Sequence, residues 1–350
     1  MRILAQHDPE EFFVKYPEPV IIDEIQRVPD LLSTVQVHID RFHKAGQYLI
    51  TGSQQVSLKK SVAQSLAGRT AIINMLPLSI KELQLAGFNF DRDTQLLAGF
   101  MPFLYKESGH SPSDYYKNYI NTYLERDIAT IQAVQDLARF TNFLRLLAGR
   151  TGQLVNNSAL AGEVGVSSTT IGSWISILEA SHLVFRLLPW YTSRTSQVVK
   201  TPKLYFCDPG IAASLLGIET PSQMGRDPLL GSLFENMVVI EALKEHLNSG
   251  HEPSLYFFRN SNGLEIDLIR KRREALDLFE IKSGKSLDKN FTRFIKNFRK
   301  HYPQSLDSEI DGTVIYSGED TPLFNNCRFA NYTNTADLFH TEEEKFRLEF

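Results

Sequence analysis

The chain has 350 residues, 42% hydrophobic and 22% charged, enough for two or three domains with their own cores. A formal net charge of -4 excludes a polycation, so any nucleic-acid contact has to come from a local basic face. Two distant cysteines (Cys207, Cys327), no membrane-length apolar run and no signal-peptide pattern at Met1 to Asp8 point to a reducing, cytoplasmic compartment with no membrane partner.

The first element is a short apolar run, Val20-Ile21-Ile22, ending in Asp23-Glu24. A continuous apolar run suits a strand buried on both faces of a parallel sheet, and ligands of such sheets sit beyond the carboxyl ends of the strands. An amphipathic helix over 31–42 follows, then a strand over 47–50 that ends in Thr51-Gly52-Ser53-Gln54. Leu66-Ala67-Gly68-Arg69 leads into an expected third strand over 70–76.

This order of motifs resembles bacterial and archaeal AAA-type ATPases that carry a characteristic C-terminal domain. The resemblance implies that Asp23-Glu24 is a Walker B pair, with Asp23 helping to hold Mg²⁺ and Glu24 orienting water. It places Ser53 and Gln54 in the sensor region and makes Arg69 a phosphate-sensing arginine. The glycine-rich phosphate loop, G-x-x-x-x-G-K-[ST], should precede Asp23, but the residues before it contain no glycine. Gly284-Lys285-Ser286 is a decoy, because Phe279 stands where the first glycine belongs. The chain is therefore expected to begin inside an ATPase domain (1–90), to bind ATP weakly and not to hydrolyse it. Loss of the central strand would leave unpaired edges that re-pair or are completed by a second copy or a partner chain.

A helical connector is expected over 91–135, with a long amphipathic helix over 115–131 that carries Tyr119, Tyr123, Leu124 and Ile128. Glu125, Arg126 and Asp127 within it read as a solvated face. Residues 136–203 have winged-helix character: helices over 137–149 and 158–164, a turn at Gly165, a third helix capped by Ser167, and wing strands over 183–188 and 203–206. Ser168, Thr169, Thr170 and Ser173 are its exposed candidates for a DNA groove, and Arg194, Lys200 and Lys203 near the wing are candidates for phosphates. A module for domain packing or protein contact fits the same pattern, since the third helix lacks Arg and Lys.

The last domain, 204–340, opens on a strand running into a helix that Asp208 can cap, followed by an apolar helix over 229–246 containing Glu235. A hairpin then carries Glu265-Ile266-Asp267 on one strand and Glu280-Ile281-Lys282 on the next. Alternation puts Glu265 with Asp267, Glu280 with Lys282, and Ile266 with Leu268. A basic helix over 287–301 follows, with Lys289, Arg293, Lys296, Arg299 and Lys300; 341–350 is a charged tail.

Helical Glu235, Asp267, and Glu280-x-Lys282 followed by a helix resemble the PD-(D/E)XK nuclease fold. The resemblance implies that Asp267 and Glu280 bind Mg²⁺ or Mn²⁺, that Lys282 orients the attacking water, and that Glu235 is an accessory acid. Glu265 is the weaker candidate. Lys289 and Arg293 offer a track for a DNA or RNA backbone. The expected architecture is a multidomain α/β chain: a partial AAA-type parallel sheet, a winged helix and a nuclease-like domain. The rival reading is a non-catalytic DNA- or protein-binding module, or a gene fragment, that oligomerises through the ATPase remnant.

Overall fold

In the computed structural model the described residues are 1–52, 65–106, 109–123, 136–191, 199–272, 275–302 and 310–340. Ser53, Gln54, Leu124, Glu125, Arg126, Asp127, Ile128, Arg194 and the tail from 341 lie outside them. The chain divides into two units, Met1–Ile73 and Asn74–Phe350.

In the first unit, helices Arg2–His7 (α1) and Pro9–Lys15 (α2) precede strand Val20–Ile22 (β1), helix Leu31–Phe42 (α3) and strand Tyr48–Ile50 (β2). Asp8 caps α2 by accepting from Glu11 N at 2.9 Å. β1 and β2 pair in parallel, Val20 to Tyr48 through Ile22 to Ile50. Phe12, Phe13, Ile22, Ile25, Leu31, Leu32 and Val35 form the core beneath them. The expected strand over 70–76 does not form. Ile72, Ile73 and Met75 are exposed there, and among the described residues no strand offers them a ladder. Composition suited to a strand is not sufficient without a partner.

The second unit begins with short helices, Ile80–Leu85 (α4), Arg92–Ala98 (α5) and Phe103–Lys106 (α6), then Pro112–Tyr123 (α7). Leu137–Ala148 (α8), Asn157–Val164 (α9) and Ser168–Ala180 (α10) follow. Ser167 caps α10 through Thr170 N, and Gly165 closes α9 in the left-handed region, as the turn chemistry requires. Phe140 and Phe143 pack on Trp174 with ring centroids 5.0 and 5.3 Å away, which fixes α8 against α10.

The two strands expected as a wing, Val184–Pro189 (β3) and Lys203–Phe206 (β4), pair antiparallel. They do not stand apart, however. β3 also pairs in parallel with Leu255–Arg259 (β5), so the hairpin belongs to an eight-stranded mixed sheet ordered β4-β3-β5-β6-β7-β8-β10-β9. Here β6 is Glu265–Arg272, β7 Ala275–Lys282, β8 Gly312–Tyr316, β9 Thr321–Phe324 and β10 Cys327–Asn331. The boundary expected between 203 and 204 thus falls inside a strand of the common sheet.

Between β4 and β5 run Pro209–Leu215 (α11), Pro221–Met224 (α12) and Leu230–Asn248 (α13). The side chains of α13 from Leu233 to Leu243 are mostly buried, polar Asn236 and Glu241 included, the placement of a helix inside a core. Arg293–His301 (α14), after a 3₁₀ turn at Lys289–Thr292, covers a second core with Ile295 and Phe298. Thr335–Phe339 (α15) closes the unit.

The segment between α5 and α6 is pinned by Asp208, the cap of α11. Its Oδ1 accepts from Gly210 N at 2.7 Å and from the Tyr116 hydroxyl at 3.0 Å, and its Oδ2 accepts from Phe100 N at 2.9 Å. Gly99 sits against this pair at φ +62°, where a Cβ would overlap both the Tyr116 hydroxyl and the Asp208 carboxylate. Gly99→Ala is expected to destabilise the unit by about 1–3 kcal/mol through overpacking, read as a lower urea midpoint at unchanged slope.

Candidate functional site

The acidic cluster arises where two strands part. The β6–β7 ladder runs from Arg272 opposite Ala275 to Leu268 opposite Phe279. Beyond that point β7 continues alongside β8, as far as Lys282 opposite Tyr316. The freed edge of β7 is satisfied by a side chain: Asp267 Oδ2 accepts from Ile281 N at 2.8 Å. Asp267 is thereby fixed at the fork by the hydrogen bond that a strand would otherwise have made.

The β5–β6 ladder contributes a second irregularity. Tyr256 faces Ile269 while Phe258 faces Ile266, so β6 carries one residue more than β5 across this step. Such a bulge re-aims side chains. Ile266 and Ile269 both enter the core under α14, whereas Leu268 joins the core around α13. The expected sharing of one face by Ile266 and Leu268 therefore fails, and the break lies beside Asp267.

Lys282 Nζ lies 3.1 Å from Asp267 Oδ2 and 2.6 Å from Glu280 Oε1. Its side chain is 31% exposed, while that of Glu280 is 2% exposed. Glu280 Oε2 is buried and has no hydrogen-bond partner among the described residues. Burial, and then the nearby charge of Asp267, push the Glu280 carboxyl well above the usual carboxylate range. Burial works against the Lys282 charge, but Asp267 and Glu280 prevail and raise its pKa.

Glu235 of α13 belongs to the adjoining half of the cluster. Its Oε1 lies 2.9 Å from Lys203 Nζ and accepts from the Tyr205 hydroxyl at 2.7 Å. Lys203 Nζ is also 2.7 Å from Glu265 Oε1, and Arg259 lies 3.5 Å from Glu265 Oε2. Burial raises the Glu235 pKa, the Lys203 charge opposes this, and Asp267 adds to it. Burial likewise opposes the charge of Lys203, yet Glu235 and its neighbours hold the lysine pKa well above its ordinary value. Lys203 is thus no phosphate contact of a wing, as expected from the sequence, but a buried ion-pair partner. The sequence offered no signal for it, because Lys203, Glu235 and Glu265 meet only through the order of the sheet.

The remaining candidates are dispersed. Lys289, in the 3₁₀ turn before α14, and Arg293, its first residue, are exposed beyond the loop that leaves Lys282. On α10 Thr169 is exposed, and Thr170 is tied to the cap through Ser167 Oγ at 3.0 Å; Lys200 is exposed. In the first unit Asp23 accepts from the Thr51 hydroxyl, and Glu24 takes a left-handed backbone at φ +55°, uncommon for a residue with a side chain. Arg69 is engaged by Asp40 through both Nε and an Nη.

Residues 2–84 match the AAA domain family, 89–222 a domain of unknown function (DUF8612), and 230–334 another (DUF4143). These matches support an AAA-type ATPase-like family. Uncharacterized proteins of Mycobacterium bovis and Mycobacterium tuberculosis are 30% identical to this chain over 75% of its length. The chain spans 58% of the length of those two relatives. An uncharacterized protein of Haemophilus influenzae is 28% identical over 85% of this chain and 75% of its own. No solved structure matched this chain. Among the described residues no helix is long and apolar enough to cross a membrane.

Proposed function

We propose that the second unit hydrolyses phosphodiester bonds in nucleic acid with a divalent metal, at Asp267, Glu280 and Lys282. The observation that carries this reading is the buried, unpartnered Glu280 Oε2 beside Asp267 and Lys282. A buried carboxylate oxygen without a donor is costly, and a hard cation is the partner that removes the cost. No group of three or more His, Cys, Asp or Glu that could hold a metal occurs among the described residues. Mg²⁺ or Mn²⁺ can be held by one or two carboxylates, with water and substrate phosphate completing the shell.

Asp267 and Glu280 would hold the ion. When bound, it would stabilise the charge that develops on the phosphate and lower the pKa of an attacking water. Lys282, with a side chain 31% exposed, would swing from Glu280 to orient that water. Glu235 is held back by Lys203 and Tyr205 and shapes the field of the site rather than the reaction. The exposed cations Lys289, Arg293, Lys296 and Lys300 would follow the nucleic-acid backbone. Wild-type protein incubated with single- and double-stranded DNA and RNA in Mn²⁺ is expected to cleave at least one of them, with Asp267→Ala inactive. No metal-dependent cleavage of any substrate would refute this reading.

The AAA-like unit supports a different role. The 350 residues contain no glycine-rich phosphate loop, so an ATP titration of this chain is expected to show no submicromolar binding. Ile21 and Leu49, opposite each other on the two-stranded sheet, are 69% and 55% exposed. That apolar face favours, as a second reading, association of the unit with a second copy or a partner chain. Sedimentation of the chain with Ile21→Lys and Leu49→Lys, giving a smaller species than wild type, would support it.

A further inference from the structure

The acidic cluster holds two lysines in different circumstances. Lys282 bridges Asp267 and Glu280 with a side chain 31% exposed, so it can withdraw toward solvent. Lys203 bridges Glu235 and Glu265 with a side chain only 3% exposed. Its backbone is fixed on both sides, by pairing with Leu187 in β3 and by a bridge to Leu154. Its ammonium has Glu235 Oε1 at 2.9 Å and Glu265 Oε1 at 2.7 Å, and the Tyr205 hydroxyl donates to the same Glu235 oxygen at 2.7 Å. Three elements, β4, α13 and β6, thus close around one immobile cation.

We propose that Lys203 is a resident cation that fills the Glu235–Glu265 half of the cluster, so that the site takes a single divalent ion, at Asp267 and Glu280. This rests on the metal-dependent reading above and adds the number of ions and the residue that sets it. The unpartnered oxygen lies in the right half. Among the described residues Glu280 Oε2 lacks a donor, whereas Glu235 Oε1 has two. Lys203 acts on the reaction only through the field and the closed half-site, as a positioning residue. Because it comes from β4, the edge strand next to the helical module, it also ties that module to the site.

Mn²⁺ titration of the full chain, with free ion followed by electron paramagnetic resonance, counts the ions directly. One ion per wild-type chain is expected, and two per chain for Lys203→Met, which empties the space between Glu235 and Glu265. Two ions in wild type, or one in a folded Lys203→Met protein, would overturn the assignment. Should Lys203→Met not fold, Glu235→Gln decides: an Mn²⁺ affinity within about threefold of wild type agrees with the proposal, and a loss of tenfold or more contradicts it. Wild type binding no Mn²⁺ at all would remove the metal-dependent reading together with this one. Two bound ions with metal-dependent cleavage would remove the Lys203 assignment alone.

Discussion

Lys244→Met is expected to destabilise the second unit by about 3–5 kcal/mol, the range for removing one member of a buried ion pair. Lys244 is buried on α13, with its Nζ 2.6 Å from Glu241 Oε1 and 2.7 Å from the Leu78 carbonyl oxygen. The ammonium stands 3.7 Å from the centroid of the Phe100 ring. Glu241 Oε2 in turn accepts from Ile80 N at 2.7 Å, so the pair holds both the start of α4 and the chain before it. Burial raises the Glu241 pKa and the Lys244 charge opposes that rise. Asp208 obeys the same balance.

Removing Lys244 leaves both carboxylates free to rise further. A folded pKa above the unfolded value means that the folded state holds the extra proton. Stability of Lys244→Met should therefore be best at acid pH, below the unfolded carboxylate pKa, and fall as pH rises through the folded values. The deficit against wild type should be largest at neutral pH. Glu241→Gln with Lys244→Met removes one charge while keeping an acceptor for Ile80 N, and should recover part of the loss. Urea unfolding of the three proteins at acid and neutral pH checks the sign. A Lys244→Met protein as stable as wild type at neutral pH would show that the pair does not hold the segment.

The second large effect is a separation of binding from catalysis. Glu280→Gln is expected to weaken Mn²⁺ binding and to lower cleavage, by about 10²–10³-fold or more, the scale of losing one preorganised charge-stabilising group. Lys282→Met should lower the cleavage rate on a similar scale with Mn²⁺ affinity kept or improved, because it removes an ammonium from between two ligand carboxylates. Loss of both properties in Lys282→Met would mean that the lysine is structural.

The acid–lysine constellation was legible in the sequence because alternation along a strand and a short hairpin bring Asp267 near Glu280 and Lys282. The helices of the 136–200 region were legible from their caps, Ser167 and Gly165. Other features depend on neighbours distant in the chain. Lys203 looked like an exposed wing cation, since only the sheet order β4-β3-β5-β6 brings it to Glu265. The extra residue of β6, which turns Leu268 away from Ile266, shows only once β5 lies alongside. Residues 70–76 have the composition of a strand, but among the described residues nothing pairs with them. Asp208 reads as a helix cap, yet its further bonds to Phe100 N and Tyr116 required the α5–α6 segment and α7 to fold back onto it.

The proposed metal-dependent hydrolytic site consists of Asp267, Glu280 and Lys282. The most direct measurement is cleavage of end-labelled DNA and RNA by wild type and Lys282→Met in the presence and absence of Mn²⁺, with the Mn²⁺ affinity of each protein measured alongside. Metal-dependent cleavage by wild type alone, with both proteins binding the ion, is expected. Equal cleavage by the two proteins, or no Mn²⁺ binding by either, would contradict it.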